Sequence, residues 1–319
     1  MGGEITRRRA SSMTGLVIVA ALGGCAYSAT RPLDAPAASN ASPSPTTARV
    51  GRLRLHMFQT GWVAVKAEHK AYSGPSALRF PAIMVSQSWT DWMPITAFAI
   101  EHPEGLFVVD TGETAQILEP GYTDCDPATG MFYRRNLQFA LRRDDELGPQ
   151  MRRAGLDPDR VAKVIMTHLH SDHMGGMRHF PRSEFLVSQA ARGGHNGALM
   201  CRIPRGLNIR AVTMGDTPAG VFNQSVGVTA DGAIRIAPTP GHADGHQSVL
   251  IEDEGVSVCV VGDAAFTLNQ IIRGDIGGIV ENVADTRRSA LTLKQQLEAF
   301  NTVMLPTHDP ENATRLGSL

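Results

Sequence analysis

The chain has 319 residues, 42% of them apolar and 19% charged, and a formal net charge of −1. That is enough apolar material for one large globular domain with its own core. The near-neutral balance excludes a broad basic face for nucleic acid, and no apolar run reaches the roughly 18 residues of a membrane-spanning helix.

In chain order, Arg7-Arg8-Arg9 is a basic start and Met13 to Leu22 a short apolar stretch, with Leu22-Gly23-Gly24-Cys25 as a cleavage site. Residues 1–25 therefore read as an export signal. The Leu-Gly-Gly-Cys ending resembles a bacterial lipobox, which implies a lipid on Cys25. The expectation is a periplasmic or membrane-anchored protein whose contact with the membrane runs through that lipid alone. Residues 26–49 are rich in Ala, Ser, Pro and Thr and read as a flexible linker. The folded domain is expected over 50–319.

Within it, Arg52–Phe58 alternates as a strand. Ile95–Glu101 and Leu106–Asp110 flank the turn-rich His102-Pro103-Glu104-Gly105 and predict a hairpin. Residues 112–144 mix Pro, Gly and aromatics and read as a long irregular connection, a lid or pocket wall. Glu146–Ala154 is helix-like, ended by Gly155 with Pro158 beyond. Val161–Met166 and Phe185–Val187 are short buried strands. Ile234–Ala237, Ser248–Glu252 and Val256–Val261 add three more, the last two as a hairpin around Asp253-Glu254-Gly255. Thr286–Phe300 is the strongest helix, and Val303–Leu305 a final strand. Cys125, Cys201 and Cys259 show no CxxC spacing, so their pairing stays open; Cys259 sits in an apolar run and reads as a buried thiol.

The stretch Thr167–Gly176, THLHSDHMGG, concentrates the chemistry. His168 and His170 are two apart, so on extended backbone they face the same side, a start for zinc. Asp172 and His173, in the turn that follows, can face a second ion. Four donors in six residues do not suit one tetrahedral ion; two ions with further donors do. His242, Asp263 and His308 each follow an apolar strand-like run, and an aspartate between two cations can bridge them. Isolated histidines are more simply core or surface residues, the reading given to His56, His69, His102, His179 and His195. For the cluster that reading fails, since packing His168–His173 together without metal costs desolvation and coupled titrations with no return.

HxHxDH, followed by separated His, Asp and His and preceded by Asp110-Thr111-Gly112, resembles the metallo-β-lactamase superfamily. The resemblance implies an α/β fold, a four-layer αβ/βα sandwich with metals at one edge. It implies two zinc ions, with manganese, iron or cobalt as alternatives for this donor set. One ion would take His168, His170 and His242, and the other Asp172, His173 and His308. Asp263 would bridge them, with a hydroxide held between. Asp172 and Asp263 are then the catalytic carboxylates, Asp172 also handling a proton.

Three segments, Ile95–Gly112, Gly155–Gly176 and Thr239–Ser248, are most similar to N-acyl homoserine lactonases. That implies opening of a homoserine lactone ring, hence quorum quenching. The sequence departs from these enzymes at Phe266, three residues after Asp263, where they usually carry a tyrosine. A lost oxyanion donor is worth roughly 2.7–4 kcal/mol; Tyr122 and Tyr133 are candidates to replace it. Organophosphate or aryl ester hydrolases of the superfamily share the metal set and are the main alternative, a non-catalytic metal-binding protein a third. Class B β-lactamases commonly replace the residue at His173 or use a cysteine ligand, and nuclease relatives need a basic surface.

The substrate is expected to be a small ester or lactone, with Phe266, Trp89, Trp92 and Tyr133 as candidate pocket residues. Trp89 and Trp92 could equally pack the sandwich surface. His246 reads as surface or as support to a ligand, Asp110 as the partner that fixes a ligand histidine, and Gly277-Gly278 as a turn.

Overall fold

The computed structural model describes residue 34 and residues 44–319. The expected signal segment, Cys25 and most of the expected linker lie outside the described residues. Two sheets face each other. The first contains β1 (Thr46–Val50), β2 (Leu53–Val65), β3 (Met93–His102), β4 (Gly105–Val109), β5 (Leu137–Ala140), β6 (Val161–Ile165), β7 (Glu184–Ser188) and β8 (Asn208–Val212). The second contains β9 (Val226–Gly227), β10 (Ile234–Pro238), β11 (Gln247–Asp253), β12 (Val256–Gly262) and β13 (Val303–Pro306). Strand order is β1-β2-β3-β4-β6-β7-β8, with β5 also on β2, and β13-β12-β11-β10-β9. The start of β1 at Thr46 means that the sheet begins inside the segment expected to be linker.

The helices are α1 (Ala67–Lys70), α2 (Arg79–Val85), α3 (Pro127–Asn136), α4 (Leu147–Arg153), α5 (Ser171–Met174), α6 (Leu268–Arg273), α7 (Val283–Phe300) and α8 (Asn312–Gly317). Among the described residues none is long and apolar enough to cross a membrane.

Strand periodicity sorts the apolar side chains into layers. Phe107 and Val109 of β4 join Ile236, Val249, Val258 and Val260 between the sheets. Val108 points the other way, to Leu147 and Met151 of α4 and to Met174, Met177 and Phe180. In the second sheet Leu250, Cys259 and Val261 turn outward against Ile271 of α6 and Leu293 of α7. The result is the expected four-layer sandwich, helices outside two sheets. Cys259 is buried and unpaired, as expected. Thr96 on β3 donates to the Thr307 carbonyl at 2.7 Å, tying the sheets at the edge where the histidine and aspartate motifs meet.

The 112–144 connection is more ordered than its composition suggests. Asp126 caps α3 by accepting from the amides of Ala128 and Thr129, both at 3.0 Å, and Pro127 opens the helix. β5 then pairs antiparallel with the end of β2. Cys125 and Cys201 form a disulfide, Cα–Cα 5.7 Å, that holds the connection to a loop 76 residues on. Local composition cannot reveal a strand whose partner is some 75 positions earlier.

Candidate metal centre

Every donor singled out in the sequence lies just past a strand end at one edge. His168, His170, Asp172 and His173 follow β6, His242 follows β10, Asp263 follows β12 and His308 follows β13. The loops there have little freedom. Gly262, at φ +65°, ends β12, and a Cβ on it would come within 2.7 Å of His246 Nε2. A side chain at that position would push Asp263 out of place.

The ligand-type atoms of His168, His170 and His242 lie within 4.8 Å of one another, as do those of Asp172, His173 and His308. Asp263 sits between the two groups. Its Oδ1 is 3.3 Å from His173 Nε2, and its Oδ2 is 3.3 Å from His308 Nε2 and 3.6 Å from His242 Nε2. Asp172 Oδ2 is 3.3 Å from His308 Nε2. All these residues are buried except His170, which is half-buried.

The outer nitrogen of each ring fixes what the inner one offers. His173 Nδ1 donates to Asp110 Oδ2 at 2.7 Å, His242 Nδ1 to the Ile279 carbonyl at 3.1 Å and His308 Nδ1 to the Pro94 carbonyl at 2.9 Å. His170 uses its other nitrogen, Nε2 donating to the Asn196 carbonyl at 3.0 Å. Thr167 Oγ1 donates to Asp110 at 2.8 Å and so can accept from His168 Nδ1 at 3.1 Å. With each outer nitrogen protonated, five bare lone pairs face inward. His168 Nε2 and His170 Nδ1 are 2.8 Å apart, and His170 Nδ1 and His242 Nε2 2.9 Å. Lone pairs this close repel unless a cation lies among them.

His173 Nε2 and Asp263 Oδ1 are moreover enclosed without a hydrogen-bond partner, a cost that a bound ion removes. Burial opposes charge on His308, yet Asp263 and Asp172 outweigh it and lift its pKa to about 10. Asp263, Asp110 and Asp172 likewise overcome burial and raise His173. Burial and neighbouring imidazoles instead lower His168 and His170. The carboxylates thus call for positive charge where the second group of donors meets, and the residues fit divalent ions.

Supporting residues surround the donors. Asp110, in the left-handed region at φ 55°, also accepts from the Thr167 amide at 2.7 Å. His246 is buried rather than on the surface; burial lowers its pKa to about 3. Its Nε2 accepts from the Asp263 amide at 3.0 Å and its Nδ1 donates to Thr239 Oγ1 at 3.0 Å. Three further residues support the site though the sequence reading gave them no role there. His195 Nε2 accepts from the Leu169 amide at 3.0 Å, holding the HxH loop. Glu281 accepts from the amides of Asn196 and Asp244, at 2.9 and 2.7 Å, joining the loop of His242 to the loop whose Asn196 carbonyl holds His170. Glu113 is fully buried, its Oε2 without a partner, and burial together with Asp172 pushes it up to about 8. Its place directly after Asp110-Thr111-Gly112 was its only clue.

Of the expected pocket residues, Phe266 stands against the donors, its ring 5.2 Å from that of His308 and 6.0 Å from that of His242. The Tyr133 hydroxyl donates to the Gly197 carbonyl at 2.8 Å, beside the His170 ring, instead of standing next to Phe266. Tyr122 packs under Arg202, 4.7 Å from ring centre to guanidinium. Trp89 lies under the Lys66 ammonium at 3.9 Å, and the Trp92 indole donates to the Asp34 carbonyl at 2.9 Å. The rings beside Phe266 are instead His69, at 6.2 Å, and beyond it Phe132.

Comparison with known proteins agrees with this architecture. The N-acyl homoserine lactonase AttM of Rhizobium radiobacter is 24% identical over 271 residues, 81% of this chain and 94% of the relative. The lactonase AiiA of Bacillus thuringiensis subsp. kurstaki is 28% identical over 180 residues, 55% of this chain and 65% of AiiA. A solved N-acyl homoserine lactone hydrolase, with the product N-hexanoyl-L-homoserine at its catalytic metal centre, superposes with a TM-score of 0.66 at 19% identity, covering 85% of this chain and 96% of that one. The dizinc quorum-quenching lactonase AidC gives 0.56 at 15%, covering 84% and 91%. A profile of the Metallo-beta-lactamase superfamily matches residues 90–300, the span that holds both strand-end histidine groups short of His308, and the chain belongs to that superfamily.

Proposed function

We propose that this chain is a dinuclear metal hydrolase that opens lactone rings, with N-acyl homoserine lactones as substrates. The observation that carries the reading is the Asp263 carboxylate between two three-residue donor groups. His168, His170 and His242 would hold one ion and Asp172, His173 and His308 the other, with Asp263 available to both. Zinc suits a donor set of imidazoles and carboxylates. Two such ions, when bound, supply Lewis acidity toward an ester carbonyl and acidify water toward neutrality. Asp172 has the more open of the two carboxylates, its side chain 12% exposed against 5% for Asp263. It is placed to take a proton at a carboxylate oxygen and return it to the alkoxide that leaves on ring opening. Phe266 walls the site and keeps water from it. The names of the relatives, at 24–28% identity, support the lactone as substrate.

A second reading, an aryl ester or phosphotriester hydrolase, draws on Phe266 itself. The Tyr133 hydroxyl donates to the Gly197 carbonyl, and Phe266 itself offers no donor to a substrate carbonyl. Acid release by the zinc-loaded chain from a long-chain acyl homoserine lactone, followed with a pH indicator, separates the two. Release that is lost in Asp263→Asn supports the lactonase. A protein that holds two metals yet releases no acid, but cleaves an aryl phosphotriester, supports the second reading. For location, we propose export through residues 1–25 with Cys25 as a lipid site; the Cys125–Cys201 disulfide supports an oxidising compartment.

A further inference from the structure

We propose that the imidazole of His69 is a substrate anchor: it hydrogen-bonds a second polar group of the substrate, one ring's width from the metal donors. The inference rests on the lactonase reading above and specifies its substrate as one that carries an amide next to the lactone.

Four rings lead from solvent to the donors. Phe80, 47% exposed, stacks on Phe132 at 5.9 Å. Phe132 lies 6.1 Å from His69, His69 6.2 Å from Phe266, and Phe266 5.2 Å from His308. In that row His69 is the polar member. It is 7% exposed, and its Nδ1 is enclosed with no hydrogen-bond partner. Nε2 is not among the enclosed unpartnered atoms.

A core histidine would be expected to have its ring satisfied, as His246 does at both nitrogens. Leaving a buried polar atom unpaired is unfavourable, and such atoms call for a specific explanation. The residue is not loosely held. Its carbonyl accepts from the amides of Gly278 and Ile279, at 2.8 and 3.2 Å, and the Ile279 carbonyl in turn accepts from His242 Nδ1. His69 is therefore fixed relative to the ligand loop while its Nδ1 stays unpaired. Burial lowers its pKa to about 4, so at neutral pH the ring offers one N–H and one lone pair. A secondary amide carries both an acceptor and a donor, either of which can meet the ring. In an N-acylated amino-lactone that amide follows directly on the lactone ring, and the apolar tail beyond it matches Phe132 and Phe80.

The test compares two substrates of the zinc-loaded chain by acid release: N-hexanoyl homoserine lactone, and γ-decalactone, which has the ring and an alkyl arm but no amide. For His69→Phe, kcat/KM on the amide substrate should fall ten- to a hundredfold, mostly through KM, with less than a threefold change on γ-decalactone. His69→Gln, which keeps a donor and an acceptor, should recover most of the loss. Affinity for the ring-opened product N-hexanoyl homoserine, measured by calorimetry, should fall in parallel. Equal loss on both lactones, or no loss on either, in a variant that still carries two zinc ions overturns the anchor. A wild-type chain that hydrolyses neither lactone refutes the lactonase reading, and the anchor with it.

Discussion

Asp110→Asn probes how the fold sets the state of a ligand. Asp110 accepts three hydrogen bonds in the interior: from the Thr167 amide at 2.7 Å, the Thr167 hydroxyl at 2.8 Å and His173 Nδ1 at 2.7 Å. Asparagine has one oxygen and one NH2. If the oxygen stays on the backbone amide, the NH2 faces His173 Nδ1. His173 must then accept there and carry its proton on Nε2, the atom that faces Asp263 at 3.3 Å. A protonated nitrogen cannot hold a metal. A hydrogen bond to a charged group is worth about 1.5–3 kcal/mol, and roughly 1.4 kcal/mol is tenfold in affinity. The second ion should therefore bind about ten- to a hundredfold more weakly, the range typical of lost supporting partners. Competition with a chromophoric chelator, with zinc counted per chain, gives the result. Thr167→Val, which spares the His173 partner, should cost the second ion less. An Asp110→Asn protein that binds two zinc ions with unchanged affinity would refute the tautomer argument.

Further outcomes follow from the same contacts. Reducing the Cys125–Cys201 disulfide removes a constraint across 76 residues of sequence and should cost about 2–4 kcal/mol; urea unfolding with and without reductant measures it, and coincident curves would contradict it. In the metal-free protein, burial and Asp172 push Glu113 from the ordinary 4.5 up to about 8. A carboxyl with a raised folded pKa contributes stability that is fully present below its unfolded pKa and is lost as pH rises toward the folded one. Glu113→Gln should thus flatten the decline in unfolding free energy between those two values, and an unchanged slope would rule the burial argument out. Leu293, fully buried between α7 and the second sheet, should cost about 2–5 kcal/mol when cut to alanine; a thermal midpoint within a degree of the parent would show that the layer repacks.

The metal donors were legible because their spacing is local chemistry. His168 and His170 two apart, with Asp172 and His173 in the next turn, make sense only around cations. His242, Asp263 and His308 each announce themselves at the end of an apolar run. Asp110 was legible for the same reason, at a strand end. Of the pocket, Phe266 was legible and stands against the donor rings. The contacts of Trp89 with Lys66 and of Trp92 with Asp34 are not announced by their sequence context. His69 looked like any isolated histidine, because nothing near it in sequence shows that its ring joins Phe132 and Phe266.

The strands and the His168–His173 cluster were legible in the sequence, since periodicities and spacings within a dozen residues carry both, and the apolar runs before His242, Asp263 and His308 flagged the remaining donors. β4, β11 and β12 carry apolar side chains on both faces, so packing settles which of them face the inner core and which face helices. Tertiary structure alone decided the pairing of Cys125 with Cys201, the β5 edge on β2, the burial of Glu113 under Asp172 and the ring beside Phe266. Each depends on segments some 60 to 200 positions apart, or on side chains whose directions are set by packing from several elements at once. Neither kind of contact leaves a periodic trace along the chain.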